Sequence, residues 1–530
     1  MTTEVRTRFA PSPTGFLHIG GVRTALFNWL FSRQQGGRYV LRIDDTDQQR
    51  NVEAALAPIL HGFHWLGLGW DEGPEVGGPY APYFQSQRGA RHEEAVERLL
   101  ASGAAYHDFA TAEEMDAERK AAERDKRQFQ YSRTWMASSP EQRARFEAEG
   151  RKAVVRLKMP REGTLVLQDL VRGEVKFEWT QEADHVVRRS DGSFIYHLAS
   201  VVDDHDLAIS HVIRAEEHLS NTPRQVFIAQ ALGYPLPRYA HLPYVAEPGS
   251  KRKLSKRKVD SYLKNPEFAR VHEHGLAIAA ALGLVTSAET FNPVVVDFYE
   301  KVGYLPEAIV NYLVLLGWSF DDKTEMFTRE QLIQHFSLER VHPAPASFDP
   351  AKLVAFQAHY MHALPTAEKV RRVLPYLERA GLVRPPVDAA TEARVALVVE
   401  TLGDRLKVFG DILLQGSFFF GDEVPIDDKA FAKRILAPGA VERLAEYRAW
   451  LAGRQAFDAA ALERDTHAYL TERGQALADI VHAVRVAITG TTAGPGLFDC
   501  LAVVGKDTTL RRIDSALARS RETPGPAPPR

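Results

Sequence analysis

The chain has 530 residues, 45% apolar and 25% charged, which excludes wholesale disorder, a collagen-like repeat and a bare coiled coil. At roughly 150 residues per domain, this length predicts three or four domains. The 66 Lys and Arg nearly balance the 69 Asp and Glu, for a net charge of −3; that excludes a uniformly basic nucleic-acid coat but leaves room for a locally basic face, because steering follows the local field.

Alternating strand and helix signals open the chain. Thr7-Arg8-Phe9-Ala10 reads as a short strand, broken by Pro11-Ser12-Pro13-Thr14-Gly15, where two prolines and a glycine forbid regular structure. A helical pattern begins near Gly20, with Val22, Leu26, Trp29 and Leu30 at helical spacing, and Tyr39-Val40-Leu41-Arg42-Ile43 is the next strand. Strand, loop, helix and strand make a parallel crossover unit, the building block of a doubly wound α/β sheet. Residues 106–179 differ: a charged helical stretch at 113–127 precedes Val154-Val155-Arg156-Leu157-Lys158 and further short strands, which reads as an inserted α+β domain. The sheet pattern resumes at Phe194-Ile195-Tyr196-His197-Leu198 and at 208–213. A helix follows over 223–232, with Pro223 at its favoured first position and Gly233 beyond its end. Beyond Gly303 the chain reads as mostly helical, with 305–316 the clearest amphipathic run, and residues 523–529 have the composition of a disordered tail.

Cys500 is the single cysteine, so intramolecular disulfides and cysteine-cluster zinc sites are excluded, and a reducing, cytoplasmic setting fits. The first nine residues are too polar for a signal peptide. No apolar run approaches the roughly 18 residues of a membrane span, so no membrane partner is expected.

Two segments carry chemistry. In Pro11-Ser12-Pro13-Thr14-Gly15-Phe16-Leu17-His18-Ile19-Gly20-Gly21 a rigid loop delivers a histidine and two glycines to a helix start. Helix N-termini present unpaired N–H groups and positive potential that suit a phosphate, and His18 can donate to one of its oxygens; a tight strand-to-helix turn with a chance histidine is the plain alternative. Ser250-Lys251-Arg252-Lys253-Leu254-Ser255-Lys256-Arg257-Lys258 holds six basic residues in nine, a mobile cationic loop able to neutralise a polyphosphate. An isolated run of this kind reads more simply as a solvated basic surface.

In this order and on these elements, the two segments resemble the signatures of class I aminoacyl-tRNA synthetases. They stand here as His18-Ile19-Gly20-Gly21 and Lys253-Leu254-Ser255-Lys256-Arg257. Arg8-Phe9-Ala10-Pro11-Ser12-Pro13-Thr14-Gly15 with Leu41-Arg42-Ile43-Asp44-Asp45-Thr46-Asp47 is similar to glutamyl-tRNA synthetases in particular. So are Tyr196-His197-Leu198-Ala199, Val202-Asp203-Asp204-His205, Val212-Ile213-Arg214-Ala215-Glu216-Glu217 and Gly303-Tyr304-Leu305-Pro306-Glu307-Ala308. The resemblance is dense to Trp318 and thinner but continuous beyond it, through Thr492-Ala493-Gly494-Pro495-Gly496-Leu497 and Gly505-Lys506.

The resemblance implies a fold and a reaction. The fold is a Rossmann-like doubly wound catalytic domain in two halves, 1–105 and 191–260, with an inserted acceptor-stem-binding α+β domain at 106–190. A stem-contact domain with an insertion would follow at 261–345, helical anticodon-binding domains at 346–520 and a tail at 521–530. In the reaction, the α-carboxylate of L-glutamate attacks the α-phosphate of ATP, with Mg²⁺ arriving on ATP. The adenylate then yields its glutamyl group to the terminal 2′-hydroxyl of tRNA-Glu. Such chemistry needs positioning and charge neutralisation more than a protein nucleophile.

By the same resemblance His18, Lys253 and Lys256 are the catalytic residues, and Pro11, His18, Gly20, Gly21, Leu254, Ser255 and Lys256 hold ATP. Lys256 would neutralise the leaving pyrophosphate and Lys253 support its loop. Arg8, Ala10, Ser12, Asp44, Tyr196 and Arg214 would hold glutamate: the arginines on its carboxylates, Tyr196 by a hydrogen bond, Ser12 on its backbone and Asp44 on its ammonium. Arginine forks match carboxylates, whereas glutamine's amide would leave a desolvated guanidinium unpaired, at a cost of roughly 2–5 kcal/mol.

Four departures from the family pattern stand out. Asp44 replaces the usual glutamate; Ser200 and His218 sit where the pocket edge often carries other residues; and Tyr106-His107-Asp108-Phe109 lacks the cysteines of zinc-holding relatives, so no zinc is expected. The stretch 257–303 is also longer than the usual link; its helical part at 275–284 could brace the loop or contact tRNA, and reads most simply as a surface insertion. Asp44 to Asp47 and Asp203 to Asp206 read as acidic turns at strand ends rather than metal cages. The Ala10-Pro11-Ser12-Pro13 opening and the helical C-terminal half set the chain apart from glutaminyl-tRNA synthetases, and its length from a truncated paralogue acting on a modified base. A nucleotidyltransferase would not need residues 253–257, and a dead tRNA-binding protein would not need His18, Lys256 and both arginines. Charging of tRNA-Gln as well as tRNA-Glu stays open, and a monomer is expected.

Overall fold

A computed structural model of the protein describes residues 4–13, 15–46, 52–255 and 258–522. Thr14, Asp47, Lys256, Arg257 and the tail from 523 onward lie outside the described residues. Contacts divide the chain into two compact units. The first comprises Met1–Phe268, Ala288–Asp297 and Pro306–Leu353; the second comprises Ala269–Ser287, Phe298–Leu305 and Val354–Arg530.

The first unit begins as the punctuation in the sequence dictates. Strand β1 (Arg6–Phe9) is followed by the helix Ile19–Gln34 and then by β2 (Arg38–Leu41), which runs parallel to β1 with Arg8 opposite Val40. The helix is buried on nearly every side, from Ile19 to Ser32, so its apolar residues pack against more than one neighbour. Its return is tight: Gly37 approaches the Val5 carbonyl so closely that a side chain has no room.

A three-stranded antiparallel sheet follows, in the order β3 (Ala105–Asp108), β4 (Val154–Leu157) and β7 (Val186–Arg188). The hairpin of β5 (Thr164–Asp169) and β6 (Gly173–Glu178) lies between β4 and β7 in sequence. Val155, Leu157 and Val187 of the sheet form one apolar cluster with Leu99, Leu198, Val202 and Ile228. The charged helix expected over 113–127 runs instead over Ala112–Arg124. Thr111 and Glu114 close a capping box at its start, and Lys126, in the left-handed region at φ 52°, follows its end.

The segment Phe194 to Leu198, expected as a strand, is not one. Only Phe194 keeps a bridge, to Arg188, and the helix Tyr196–Asp206 starts two residues later. Leu198, Ala199, Val201 and Val202 form its buried face; five residues are too few to separate a period of two from one of 3.6. The next strand, β8 (His211–Ala215), starts later than expected because Ala208, at φ 53°, turns the chain first. The helix Thr222–Ala231 then leads to β9 (Arg238–Leu242), parallel to β8 and in register with it. The Ser210 amide donates to the Arg6 carbonyl at 3.0 Å, and the Asn28 amide group donates to the Ile213 carbonyl at 2.9 Å. These bonds bring β1 beside β8 and tie the first helix to β8, and the Thr7 hydroxyl, donating to the Asn28 carbonyl at 3.0 Å, ties it to β1.

Polar groups clasp the region around β3. The buried Asp184 carboxylate accepts from Arg133 Nε and Nη2 at 2.7 and 2.9 Å, from the Tyr106 hydroxyl at 2.8 Å and from the Met159 amide at 3.0 Å. Asp108 accepts from Tyr131 at 2.6 Å and Arg156 at 2.9 Å. Among the described residues no group of three His, Cys, Asp or Glu is placed to hold a metal ion, and no helix is long and apolar enough to cross a membrane.

The second unit is helical. It includes Thr366–Arg379, Ala389–Leu402, Ala440–Ala452, Ala459–Glu472, Ala478–Thr489, Leu497–Val504 and Lys506–Glu522, the last helix taking in residues 521 and 522 of the expected tail. The helix Pro266–Ala281 corrects the reading of 275–284 as a surface insertion, because Ile278 is fully buried and Ala279 nearly so. Ile278 lies against Gly410, and His274 Nε2 stands 2.6 Å from Asp411 Oδ1. The alanine-rich sequence hid a packed face behind small side chains.

Two stability predictions follow from these contacts. Asp184→Ala strands a guanidinium and a hydroxyl and should cost about 3–5 kcal/mol in urea unfolding, with Asp184→Asn milder. Gly275→Ala places a methyl group into the Phe298 ring and 3.1 Å from Val302 Cγ2; a loss of about 1–3 kcal/mol is expected, and unchanged stability would contradict this packing.

Candidate active site

The histidine loop is held at several points. The Arg42 amide donates to the Phe9 carbonyl and the Asp44 amide to the Pro11 carbonyl, both at 3.0 Å, carrying the β2 ladder into the loop. On its other side the loop pairs with a segment almost 280 residues away in sequence. The Ile19 amide donates to the Val294 carbonyl at 3.1 Å, the Val296 amide donates to the Leu17 carbonyl at 3.0 Å, and His18 bridges Val295. Asn292, fully buried, shapes that segment by accepting from the Val294 amide at 2.9 Å.

His18 caps the helix. Its Nδ1 accepts from the Gly20 amide at 2.9 Å, so the neutral ring carries its proton on Nε2. The Val22 amide donates to the His18 carbonyl. Three of the first four helical amides are therefore engaged, which corrects the expectation of a helix start with free N–H groups. What Gly20 offers is space, since a Cβ there would stand 3.2 Å from the His18 ring.

A cleft of about 810 Å³ opens beside this loop. Arg8, Ala10, Ser12, His18, Gly20 and Gly21 line it from the first crossover, Asp44 from beyond β2, Tyr196 and Arg214 from the later elements, and Lys253, Leu254 and Ser255 from the basic loop. Of the site residues expected from sequence, Pro11 is not among the lining residues, and Lys256 lies outside the described residues.

Beneath the cleft runs a row of alternating charges. Arg42 grips Asp44 at 2.7 and 3.2 Å and reaches Asp204 at 2.7 Å. Arg8 grips the same Asp204 at 3.0 and 3.2 Å. Burial opposes every one of these charges. Even so, Asp44, Asp204 and Asp203 hold the Arg42 guanidinium well above its ordinary value, and Arg8 and Arg42 hold the Asp204 carboxyl below the usual range. Asp203 accepts from Arg88 at 2.6 Å and Gln85 at 2.9 Å, and its Oδ1 stands 2.9 Å from His92 Nε2. Asp203 and Asp204 thus lie on a helix and serve buried arginines, which corrects their reading as an acidic turn. Asp45 accepts from the amide and hydroxyl of Ser86.

Arg214 differs from Arg8 and Arg42. Its guanidinium donates to His241 Nε2 at 3.0 Å, Gln225 Oε1 at 2.6 Å and Thr222 Oγ1 at 2.9 Å. Among the described residues no carboxylate touches it, and burial pulls its pKa down. The nearby His218 is pushed down to about 4, by burial first and then by Arg214, so it is neutral at physiological pH.

The basic loop leaves strand β10 (Val245–Ala246), which pairs with β11 (Ala346–Ser347). It folds back so that the Leu254 amide donates to the Val245 carbonyl at 2.9 Å. The Lys253 ammonium pairs with Glu217, and the Tyr262 hydroxyl accepts from the Ser255 amide at 2.9 Å. The half of the loop next to β10 is therefore seated rather than loose.

Sequence reasoning missed Arg42 and Asp204 as structural charges, and also Arg23, Glu217 and His241. Arg23 lines the cleft, donates to the Leu316 and Pro243 carbonyls, and is lowered to about 10 by burial. The available signal was charge accounting: arginines in apolar strands need acceptors, and only distant residues could supply them.

The family of class I tRNA synthetases for E and Q matches by its catalytic domain over residues 4–289 and 289–355, and an anticodon binding domain matches over 368–517. The chain is 42% identical over 519 residues to the glutamate–tRNA ligase of Moorella thermoacetica, covering 98% of this chain and 99% of that one. It is 40% identical over 512 residues to the glutamate–tRNA ligase of an Anaeromyxobacter species, covering 97% and 98%. The crystal structure of a glutamate tRNA ligase from Elizabethkingia meningosepticum in complex with its amino acid aligns with a TM-score of 0.81 at 31% identity, over 97% of this chain and 99% of that one. The chain has a class I synthetase catalytic domain followed by a mostly helical anticodon-binding domain, and it belongs to the glutamyl-tRNA synthetase family.

Proposed function

We propose that this enzyme activates L-glutamate with ATP and transfers it to tRNA-Glu, and that Arg214 receives the side-chain carboxylate. The observation that carries the reading is the charge balance of the cleft. Arg8 and Arg42 are matched by Asp204 and Asp44, whereas the buried Arg214 has only neutral partners. An anionic side chain supplies what it lacks; a neutral amide does not.

Ser12 and Asp44 would orient the substrate backbone and ammonium, with Tyr196 and Ala10 lining the same space. Arg8, already steadied by Asp204 through Nε and Nη2, would present its other guanidinium N–H groups to the α-carboxylate. That carboxylate attacks the α-phosphorus, and the bond to the bridging oxygen breaks as pyrophosphate leaves. His18 Nε2–H would donate to a phosphate oxygen, with Pro11, Gly20 and Gly21 allowing ATP to approach. Lys253, Leu254 and Ser255 would place Lys256 on the leaving pyrophosphate. Magnesium bound to ATP would offset part of the phosphate charge. The terminal 2′-hydroxyl of the tRNA then attacks the acyl carbon and AMP departs.

The parallel pairs β1–β2 and β8–β9, each joined through a helix, support reading 1–105 and 191–260 as two halves of a Rossmann-like doubly wound domain. The mixed region 106–190 would take the acceptor stem, 261–345 contact the stem, and 346–520 take the anticodon. The setting would be cytoplasmic, the enzyme monomeric and zinc absent.

Arg214→Ala should raise KM for glutamate in tRNA charging by about 30-fold or more while KM for ATP stays within about twofold. An equal rise for both substrates would contradict the assignment.

A further inference from the structure

Arg214 and His241 are direct partners in the parallel ladder of β8 and β9. Behind His241 stands Asp169, the last residue of β5. Its Oδ2 lies 2.6 Å from His241 Nδ1, and both side chains are wholly buried. Asp169 also accepts from the amides of Val171 and Arg172 at 3.0 and 2.9 Å, and the Leu170 amide ties this turn to the Tyr239 carbonyl at 2.8 Å. Burial works against the Asp169 charge, but His241 and these amides outweigh it and keep the carboxyl below its usual range.

An ionised carboxylate on Nδ1 holds the imidazole proton there. The lone pair of Nε2 then faces outward, and the Arg214 Nε–H donates to it at 3.0 Å. Burial pulls the His241 pKa down despite Asp169, so the ring is neutral and can accept. The Thr222 hydroxyl, 3.2 Å from the same nitrogen, accepts in turn from Arg214 Nη2. Three of the five guanidinium N–H groups are thus engaged, leaving one on each Nη.

We propose that Asp169 and His241 form a positioning relay for Arg214, fixing its plane through a neutral acceptor so that its charge stays available to the substrate carboxylate. An acid in direct contact would orient the guanidinium equally well but neutralise it, as Asp204 does for Arg8. The interposed imidazole keeps the anion one ring away. His241 and Asp169 thereby become determinants of glutamate over glutamine, a role that rests on Arg214 binding the side-chain carboxylate.

The test is charging kinetics of the full-length enzyme with tRNA-Glu, with KM measured separately for glutamate and ATP. His241→Leu, which fills the space without an acceptor, should raise KM for glutamate by about 10- to 100-fold and leave KM for ATP within about twofold. Inhibition by glutamine should strengthen relative to glutamate use. His241→Gln, whose side-chain oxygen can accept from Arg214 Nε, should recover most of the loss, and Asp169→Asn should fall between. A KM for glutamate within twofold in both His241→Leu and Asp169→Asn overturns the relay, as does a parallel rise for ATP. If His241→Leu fails to fold, Asp169→Asn and His241→Gln decide by the same KM comparison. Arg214→Ala separates the two claims: if it impairs glutamate use while the relay variants do not, only the relay fails; if it leaves glutamate use unchanged, the reading beneath the relay fails too.

Discussion

The cleft depends on a buried, alternating row of charges. Asp44, Arg42, Asp204 and Arg8 come from a loop, a strand end, a helix and a strand, and each ion needs its neighbour because burial penalises all four. Such a row is poor evidence of stability, since apolar residues could fill the space as well. Its consequence is geometric. It pins β1, the segment after β2 and the helix Tyr196–Asp206 to one another at the cleft floor, and it cancels its own charge. Against that neutral floor two buried cleft arginines keep only neutral partners, Arg23 on main-chain carbonyls and Arg214 on side chains, and in the proposed reading Arg214 turns that surplus charge toward an anion.

The wall that faces ATP in the proposed reaction is assembled from equally distant parts. His18 fixes its own tautomer by capping the helix it begins, and the Val294–Val296 strip closes the loop from the far side. That strip belongs to the long stretch after the basic loop, so the stretch does more than connect. One part enters the first unit beside the histidine, and another, around Gly275 and Ile278, enters the core of the helical unit. Up to Ser255 the basic loop is seated by Val245, Glu217 and Tyr262, so this part of a run that looks solvated in sequence is carried on a defined hairpin.

Much of this was legible in the sequence where the signals are local. Prolines 11 and 13 and Gly15 mark the break between β1 and the first helix, and the apolar spacing from Val22 to Leu30 marks the helix itself. Phe194 to Leu198 reads as a strand because a strand and the first turn of a helix share so short an apolar pattern. The packed face of the helix Pro266–Ala281 is faint in sequence because alanine and glycine announce close packing weakly. Twelve expected site residues line one cleft, since the two signature segments fix its outline. What the sequence could not disclose is pairing over distance: Arg42 and Asp204 stand 162 residues apart, and the register that sets His241 opposite Arg214 exists only once β8 and β9 lie side by side.

The central claim is that this cleft selects glutamate and delivers it to tRNA. ATP-dependent charging with labelled glutamate and, separately, labelled glutamine on tRNA-Glu and tRNA-Gln transcripts tests it most directly. The account predicts glutamate, and not glutamine, on tRNA-Glu; the tRNA-Gln arm shows whether the helical unit also admits that partner. A folded enzyme that leaves tRNA-Glu uncharged, or that loads glutamine as readily as glutamate, would contradict the account.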